Sequence, residues 1–334
     1  MEKTELKSIL KEYEEKRFKK ELDLQRKKQD IYTKCPRLQE IESTLNTLAI
    51  STIKSIATSD KNTHAEKVQT LSQKIELLKQ EKKELLTSLN LSEEDFKIHF
   101  DCPICKDTGY TVESNGTVMC SCLVQKLLNT QYNKSNIANI QKENFDNFNF
   151  NYYSDESNPE KYSAPISPRE NIKIIKDICE KFIKNFDDPN EKNLLFVGNT
   201  GLGKTFLSNC IAKEIISKNK TVLYQTAPVM FDTILDDKFG KTKNNIMNSI
   251  LDANLLIIDD LGTEYRNDLK FADLYEIINT RLLNQENKIT KTIISTNLNL
   301  TTLFKTYDER IISRLVEKYN ICRFFGEDIR FKKK

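Results

Sequence analysis

A glycine-rich loop joins an apolar, strand-like run to a helical pattern in the second half of this 334-residue chain. The run is Leu194–Val197, the loop fits G-x-x-x-x-G-K-[ST] from Gly198 to Thr205, and the helical pattern covers Phe206–Ile216. Glycines let backbone N–H groups turn towards an anion, and the first helical turn presents its positive end to the same anion. Strand, loop and helix in this order predict a phosphate-binding loop within an α/β domain.

This loop supplies most of the candidate nucleotide ligands. Lys204 is predicted to reach the β- and γ-phosphates, and the hydroxyl of Thr205 is predicted to hold Mg²⁺. We assign nucleotide binding to one continuous stretch: Gly198, Asn199, Thr200, Gly201, Leu202, Gly203, Lys204, Thr205 and Phe206. A chance glycine loop is the weaker interpretation, because both flanks have the pattern that the motif needs.

Two carboxylates follow a later apolar run, Leu255–Ile258. Asp259 at the strand tip is predicted to hold Mg²⁺, directly or through water, and Asp260 to orient or deprotonate the attacking water. Glu264 is a second candidate acid, ranked below Asp260. Because many strands end in aspartate, this run alone is weak evidence for a nucleotide site. The phosphate loop that precedes it in the chain makes the interpretation strong.

A third apolar run, Thr292–Thr296, leads to Asn297. Its amide is predicted to hydrogen-bond the γ-phosphate or the water, with Thr296 as the alternative; an asparagine here is otherwise a turn former. Further on, Arg310 and Arg314 are four residues apart and share a helix face. An arginine presented to a neighbour's γ-phosphate stabilises transition-state charge, whereas the simpler interpretation pairs these arginines with surface acids.

The second half of the chain alternates helical patterns with five strand-like runs. These runs are Leu194–Val197, Thr221–Gln225, Leu255–Asp259, Thr292–Thr296 and Ile321–Phe325. Apolar and β-branched runs separated by helices predict a parallel sheet covered on both faces. Ligands bind at the carboxyl edge of such sheets, which is where the phosphate loop falls.

The first part of the chain has a different character. Residues 1–95 contain no glycine and are predicted to form two or three long, coiled-coil-like helices, with apolar residues at alternating three- and four-residue steps. This apolar seam consists of Val68, Leu71, Ile75, Leu78, Leu85 and Leu89, with Lys82 in the one missing place. The alternative is a solvated, charged helix with no partner.

Residues 131–170, rich in asparagine, serine and aromatic side chains, are predicted to be a linker to the nucleotide-binding α/β domain at 171–334. An aromatic run stands out in the linker: Phe145, Phe148, Phe150, Tyr152 and Tyr153. These side chains pack either beside an adenine ring or into an ordinary hydrophobic cluster.

Four cysteines lie close together within residues 96–130, as Cys102-Pro-Ile-Cys105 and Cys120-Ser-Cys122. Thiolates at this spacing predict a closed, structural zinc site, with His99 as a substitute ligand; a redox pair or unliganded thiols are the alternatives. The stretch has few large apolar residues, so the metal would supply its folding energy, on the order of 10–16 kcal/mol.

Composition excludes few functions. Charge is high but balanced, with 52 basic and 49 acidic residues, which neither demands nor excludes a nucleic acid partner. No apolar run reaches the roughly 18 residues that predict a membrane span, and the N-terminus lacks the apolar core of a signal peptide. We therefore expect a cytoplasmic protein, where structural disulfides are rare.

Together the motifs resemble those of the AAA+ ATPases of the bacterial DnaC/DnaI-type replicative helicase loaders, which are related to the transposition helper ATPase IstB. The resemblance is carried by Gly198–Thr205, Asp259–Gly262, Ser295–Asn297, Glu309–Leu315 and Phe325–Arg330. It covers about half of the chain, and the cysteine module extends it to the loaders of Gram-positive bacteria.

The resemblance implies the fold class α/β: an AAA+ P-loop NTPase domain with a parallel sheet and no C-terminal lid, preceded by an α-helical region and a small zinc-binding module. It implies Asn297 as sensor I, Arg314 as the preferred arginine finger with Arg310 nearby, and Arg330 as a sensor II-like arginine. Asp260 stands where many AAA+ proteins have glutamate. Too few residues follow the last motif to form a lid, which these loaders also lack.

The function implied is that of an ATP-dependent loader, a slow ATPase using ATP, Mg²⁺ and Zn²⁺. It would bind the replicative hexameric DNA helicase, self-associate through the ATPase domain and help to place the helicase on single-stranded DNA. The segment Met230–Ile250, with Lys238, Lys241 and Lys243, either faces that DNA or is an ordinary exposed helix. The alternatives are an IstB-like transposition helper ATPase and an ATP-binding adaptor without significant hydrolysis.

Overall fold

A computed structural model describes residues 3–58, 64–114, 116–131, 142–240, 246–265, 267–285 and 288–332. The chain divides into two compact units: a helical unit, Leu10–Thr108, and an α/β unit that comprises the chain from Gly109 together with the residues up to Ile9. Among the described helices, none combines the length and apolarity that crossing a bilayer requires.

Long helices account for most of the helical unit. They are α1 (Lys3–Lys34), α2 (Pro36–Thr58) and α3 (His64–Ser88), followed by a 3₁₀ turn at Glu93–Phe96. Leu38 of α2 and Leu86 of α3 are buried in one cluster, so these two helices pack through apolar faces. Lys82, which interrupts the predicted seam, donates to Glu42 of α2 at 2.7 Å. The side chain of Val68, the first seam residue, is outside the described part of the chain.

A hairpin and a helix follow the first cysteine pair. They are β1 (Tyr110–Glu113), β2 (Gly116–Met119) and α4 (Ser121–Gln131). Leu128 of α4 is buried in the core of the α/β unit. The amide of Gln125 donates to the carbonyl of Val222 at 3.0 Å and accepts from its N–H at 2.6 Å. Helix α4 is therefore packed and hydrogen-bonded against the sheet rather than free of it.

The aromatic segment lies against the same unit. It contains 3₁₀ turns at Phe145–Asn147 and Phe150–Tyr152 and the short helix α5 (Pro159–Tyr162). Tyr153 is buried in the core cluster, and the other four aromatic side chains pack against that cluster while remaining partly buried. Residues 132–141 of the predicted linker lie outside the described residues.

The α/β unit is built on five parallel strands. They are β3 (Asn193–Val197), β4 (Val222–Thr226), β5 (Leu255–Leu261), β6 (Lys291–Thr296) and β7 (Tyr319–Arg323). Their order across the sheet is β4-β5-β6-β3-β7, so the strand that leads into the glycine loop lies between β6 and β7. The predicted parallel sheet is confirmed.

Helices cover both faces of the sheet. They are α6 (Pro168–Lys184), α7 (Lys204–Ser217), α8 (Ala227–Lys238), α9 (Ile246–Asp252), α10 (Asp268–Asn284), α11 (Leu300–Thr306) and α12 (Glu309–Lys318). Alternate residues of β3 point to opposite faces: Leu194 and Phe196 pack with α6 and α7, and Leu195 and Val197 pack with the remaining helices. Burial on both faces explains why the strand sequences are continuously apolar.

The prediction for the last strand is wrong by two residues. It placed the strand at Ile321–Phe325, whereas β7 ends at Arg323. Two aromatic residues follow the strand and pack sideways: the Phe324 ring meets Phe196 at 5.3 Å between centroids, and the Phe325 ring meets Tyr162 at 5.4 Å. The Phe324 N–H still donates to the Val197 carbonyl at 2.7 Å and its side chain is buried in the core, whereas Phe325 is half-buried outside it, so the two residues extend the apolar pattern beyond the assigned strand.

Candidate functional site

The glycine loop begins where β3 ends and finishes where α7 begins. Gly201 and Gly203 have φ angles of 71° and 92°, in the region that side chains rarely adopt. A Cβ at Gly203 would lie 2.5 Å from the hydroxyl oxygen of Tyr153, which itself donates to the Leu202 carbonyl at 3.1 Å. The loop is thus held in shape by the aromatic segment, and the glycines permit this close approach.

Lys204 lies inside the loop and is 5% exposed. Its ammonium donates to the carbonyls of Gly198 and Asn199, both at 2.7 Å, and to Oδ1 of Asn297 at 2.8 Å. Burial lowers the pKa of Lys204 to about 8, although the charge of Asp260 acts in the opposite direction. The lysine charge is therefore held by neutral acceptors in a place where an anion would stabilise it.

Asp259 accepts three hydrogen bonds from different parts of the chain. Tyr224 of β4 donates at 2.7 Å and Thr205 of α7 at 3.0 Å, both to Oδ2, and Ser295 of β6 donates to Oδ1. Sequence reasoning did not assign Tyr224 or Ser295 to the site; each is positioned by a strand beside β5. Thr205 and Asp259 thus bring together two of the hard oxygen ligands that suit Mg²⁺, which fits their predicted role.

Asp260 directly follows in β5, with a φ of 57°. Its Oδ1 accepts from the Asn297 amide at 3.0 Å, and its N–H donates to Ser295 at 3.1 Å. Burial, then the neighbouring Asp259 charge, raise the pKa of Asp260. Asn297 therefore joins the buried lysine to the carboxylate, and the three candidate residues from separate motifs form one hydrogen-bonded group.

The two lower-ranked candidates have other partners. Glu264 is buried and accepts from the Gly262 N–H at 2.7 Å and from the hydroxyl of Tyr307. Thr296 donates to the carbonyl of Leu261 at 2.6 Å. These contacts fix the loop after β5, so both residues shape the site rather than face the lysine.

A cavity of about 290 Å³ lies over the loop. Its lining includes Lys204, Thr205, Asp260, Asn297 and Arg330, together with other loop residues. The C-terminal segment reaches it because the N–H of Ile329 donates to the Gly201 carbonyl at 2.9 Å. Within this cavity, Arg330 is exposed and paired with Asp328 at 2.5 Å. The sequence-predicted arginine therefore lies at the candidate nucleotide site.

A second cavity of about 260 Å³ adjoins the first and shares Gly203, Phe206, Glu143 and Ile329 with it. Aromatic side chains line it, among them Phe148, Tyr152, Tyr153 and Phe206. The rings of Phe148 and Phe206 meet edge to face at 5.8 Å. Polar side chains, among them Asn147 and Asn149, complete the lining, and aromatic surface with a few polar groups beside a phosphate-binding loop suits a nucleotide base.

The remaining candidate residues lie away from the loop. Arg310 and Arg314 are on α12 and are absent from the lining of both cavities around the loop. Lys238 ends α8 and pairs with the buried Asp273 of α10. Lys241 and Lys243 fall outside the described residues, so the predicted DNA-facing segment is described only in part.

The four cysteines come together. The sulfurs of Cys102, Cys105, Cys120 and Cys122 all lie within 4.8 Å of one another, and the first three residues are buried. A tetrahedral zinc site with Zn–S bonds of about 2.3 Å needs sulfurs roughly 3.8 Å apart, so this donor set fits zinc. The exposed His99 is not among the residues that converge there.

Local contacts stabilise the backbone turn that carries the first cysteine pair, Cys102 and Cys105. The buried carboxylate of Asp107 accepts from the N–H groups of Cys102 at 2.7 Å and Asp101 at 3.0 Å, and Lys20 pairs with it at 2.9 Å. The backbone turns through positive φ at Lys106 and Asp107. The turn that brings Cys105 back towards Cys102 is therefore stabilised by protein groups.

Taken together, three features define a P-loop nucleotide-binding protein with an AAA+ domain: a glycine loop after the inner parallel strand β3, a buried lysine within that loop, and paired carboxylates on β5, which is separated from β3 by β6. The family of IstB-like ATP binding proteins matches residues 167–334. Since this match covers half of the chain, the protein belongs to that family, among the DnaC/IstB-type AAA+ proteins.

Similar proteins include a replicative helicase loader and an insertion sequence protein. The chain is 24% identical over 139 residues to the replicative helicase loader DnaC of Escherichia coli, covering 41% of this chain and 55% of DnaC. It is 27% identical over 143 residues to a putative insertion sequence ATP-binding protein of Sinorhizobium fredii, covering 41% and 56% respectively. The chain thus spans about half the length of these relatives.

Among solved structures, that of DnaI is similar at 20% identity, with a TM-score of 0.45, covering 56% of this chain and 94% of that one.

Proposed function

We propose that the protein is an ATPase. The observation that carries this proposal is the hydrogen-bonded group of Lys204, Asn297 and Asp260 at the edge of the loop cavity. Lys204 binds the phosphates, and Asn297 orients the carboxylate. Water attacks the γ-phosphorus, the bond to the bridging oxygen breaks, ADP departs, and Asp260 receives the proton of the water.

Thr205 and Asp259 are the residues that would hold Mg²⁺, whose chemistry is to neutralise phosphate charge. Tyr224 and Ser295 keep the Asp259 carboxylate in place through their hydroxyl groups. The raised pKa of Asp260 favours its work as a base, because a base is most effective when its pKa approaches the operating pH. Arg330, which lines the loop cavity, supplies positive charge for the phosphates. The adjoining aromatic cavity supplies a surface for the base.

Phosphate release tests this proposal. The full chain should release phosphate from ATP, and Lys204→Ala should abolish both release and the binding of a fluorescent ATP analogue. Asp260→Asn should abolish release but retain the analogue. Equal rates in the unaltered protein and Lys204→Ala would reject hydrolysis. Analogue binding that persists in a protein without turnover would instead support an ATP-binding adaptor.

We further propose that the client is a replicative hexameric helicase, which the protein helps to place on single-stranded DNA. The similarity to DnaC supports this client, and the α-helical unit offers a surface beyond the ATPase domain. Self-association would place Arg314 of one copy at the nucleotide of another, and the segment Met230–Ile250 would contact DNA phosphates.

The second candidate is a transposition helper, favoured by the family match and by the insertion sequence relative. Affinity capture of the full chain from its own cells, with and without ATP, separates the two clients. Recovery of a ring-shaped helicase supports the loader, and recovery of a transposase supports the helper. A gel-shift titration with single-stranded and duplex DNA tests the DNA contact separately.

A further inference from the structure

Two pairs of side chains face each other across α10 and α12. Tyr275 and Asn279 are four residues apart on α10, and Arg310 and Arg314 are four apart on α12, so each pair occupies one helix face. The Arg314 guanidinium donates through Nε to Asn279 Oδ1 at 2.9 Å and through Nη2 to the Tyr275 hydroxyl at 3.0 Å. It also lies over the Tyr275 ring, 4.8 Å from the centroid.

The two arginines differ in how their charge is compensated. Arg310 makes two hydrogen bonds to the carboxylate of Asp308, at 2.9 and 3.2 Å, and is neutralised there. The described hydrogen-bond partners of Arg314 are an amide, a phenol and the Arg310 carbonyl, all of them neutral, and Arg314 acts on the acid Glu317 only as one of several charges that lower the pKa of that carboxyl. The direction of the Arg314 guanidinium is therefore set by neutral groups, and none of its described hydrogen bonds goes to a carboxylate.

We propose that Tyr275 and Asn279 are positioning residues, which hold Arg314 ready to stabilise the γ-phosphate of ATP bound to a second copy of this chain. The inference rests on the proposed ATPase function. Rate enhancement by a charged group requires that its orientation be set before the reaction, since reorganising it costs part of the gain. An isolated arginine side chain would lose much rotational freedom at that step. In this protein, Tyr275 and Asn279 of α10 already restrict the orientation of the Arg314 side chain.

The arrangement also explains why a lysine at position 314 could not replace the arginine. The planar guanidinium donates through Nε to Asn279 and through Nη2 to Tyr275, with its central carbon 4.8 Å from the ring centroid, and an ammonium group lacks this rigid fork of donors. The geometry further assigns the role to Arg314 rather than Arg310, whose guanidinium is occupied by Asp308.

A mixed-protomer assay tests the proposal. The donor protomer carries Lys204→Ala and cannot use ATP, and the acceptor protomer carries Arg314→Ala and cannot supply the arginine. Each alone should be inactive, and an equimolar mixture should regain ATP turnover. Adding Tyr275→Phe or Asn279→Leu to the donor should lower the regained rate about tenfold, because misplacement of a reacting group is costly.

The same two substitutions in the acceptor should leave the mixed rate unchanged, since the arginine is already absent there. A purely structural effect would not depend on which protomer carries the change. Glu276→Gln in the donor is the matched control, because Glu276 is an exposed neighbour on α10. Thermal unfolding of each variant confirms that it is folded.

Three results would overturn the inference: full recovery with both altered donors, equal loss in either protomer, or no recovery in the unmodified mixture although the unaltered protein hydrolyses ATP. If the unaltered protein itself did not turn over ATP, the proposed ATPase function would fail. Measuring the turnover of the unaltered protein therefore distinguishes that failure from a failure of the positioning role of Tyr275 and Asn279.

Discussion

At the scale of single residues, the site depends on one amide. Asn297 accepts from the buried Lys204 and donates to Asp260, so its two ends fix two charged groups of opposite sign. The sequence indicated a polar residue at the end of β6 but not this bridging role, because side-chain partners depend on which strands are neighbours. Tyr224 and Ser295 were missed for the same reason.

Removing this bridge should affect chemistry more than binding. Asn297→Ala frees the Asp260 carboxylate from its amide donor while the phosphate loop keeps its lysine. We expect ATP turnover to fall at least about tenfold, with a smaller change in nucleotide affinity. Steady-state kinetics together with equilibrium binding separate the two. A parallel loss of affinity and turnover would instead assign Asn297 to nucleotide binding alone.

Lys204 should make nucleotide binding sensitive to pH. Its pKa of about 8 means that the free protein loses this charge as pH rises through 8. Bound phosphate favours the protonated form and raises the pKa, so binding above pH 8 requires proton uptake. Affinity should be full below pH 8 and should fall by up to about tenfold per pH unit above it.

Titration of nucleotide affinity between about pH 7 and 9.5 checks this expectation. Lys204→Arg is the control, because a guanidinium remains protonated throughout that range and should remove the fall. A flat profile in the unaltered protein would show that the lysine remains charged in the empty loop.

At the scale of elements, one buried arginine fixes the short helix α9. Arg281 of α10 is 1% exposed and donates to the carbonyls of Ile250 and Ala253, at 2.6 and 2.9 Å, and of Lys291, at 2.6 Å. Burial lowers the pKa of Arg281 to about 10. The guanidinium thus satisfies carbonyls at the end of α9 and at the start of β6.

Arg281→Met should lower the free energy of unfolding by about 3 kcal/mol, because buried carbonyls lose their donors. Lys288→Met is a matched control: Lys288 pairs with Asp252 at the end of the same helix but is exposed. Its loss should cost less than about 0.5 kcal/mol. Chemical denaturation of both variants measures the difference, and equal costs would contradict this assignment.

Most strands could be predicted from sequence, because continuous apolar runs between helices are typical of a buried parallel sheet. Helix α4 was harder to place in the fold. Its attachment depends on Gln125 meeting Val222, a partner 97 residues away on an edge strand. No local pattern records such a pairing, whereas the phosphate loop is a local pattern whose geometry its own glycines largely determine.

At the scale of the whole molecule, the cysteine cluster should bind a structural metal. We expect about one zinc per chain, since four thiolates complete a tetrahedral site. The double variant Cys102→Ser with Cys105→Ser should lose the metal and melt at a lower temperature. Cys35→Ser should retain it, because Cys35 lies outside the cluster.

Elemental analysis and thermal unfolding, each with and without a chelator, check this expectation. Metal binding to a small module contributes to folding directly, so chelation should reproduce the effect of the double variant. Full metal content in that variant would exclude the four-cysteine site.

The backbone at Asp260 restricts which acid is accommodated there. Its left-handed conformation suits aspartate and asparagine better than longer side chains. Asp260→Asn should consequently keep its melting temperature, whereas Asp260→Glu should lower it. The Asp260→Asn variant would bind ATP without cleaving it. Differential scanning calorimetry would detect this state as a melting temperature that ATP raises. Such a trapped state would hold a client long enough for its capture.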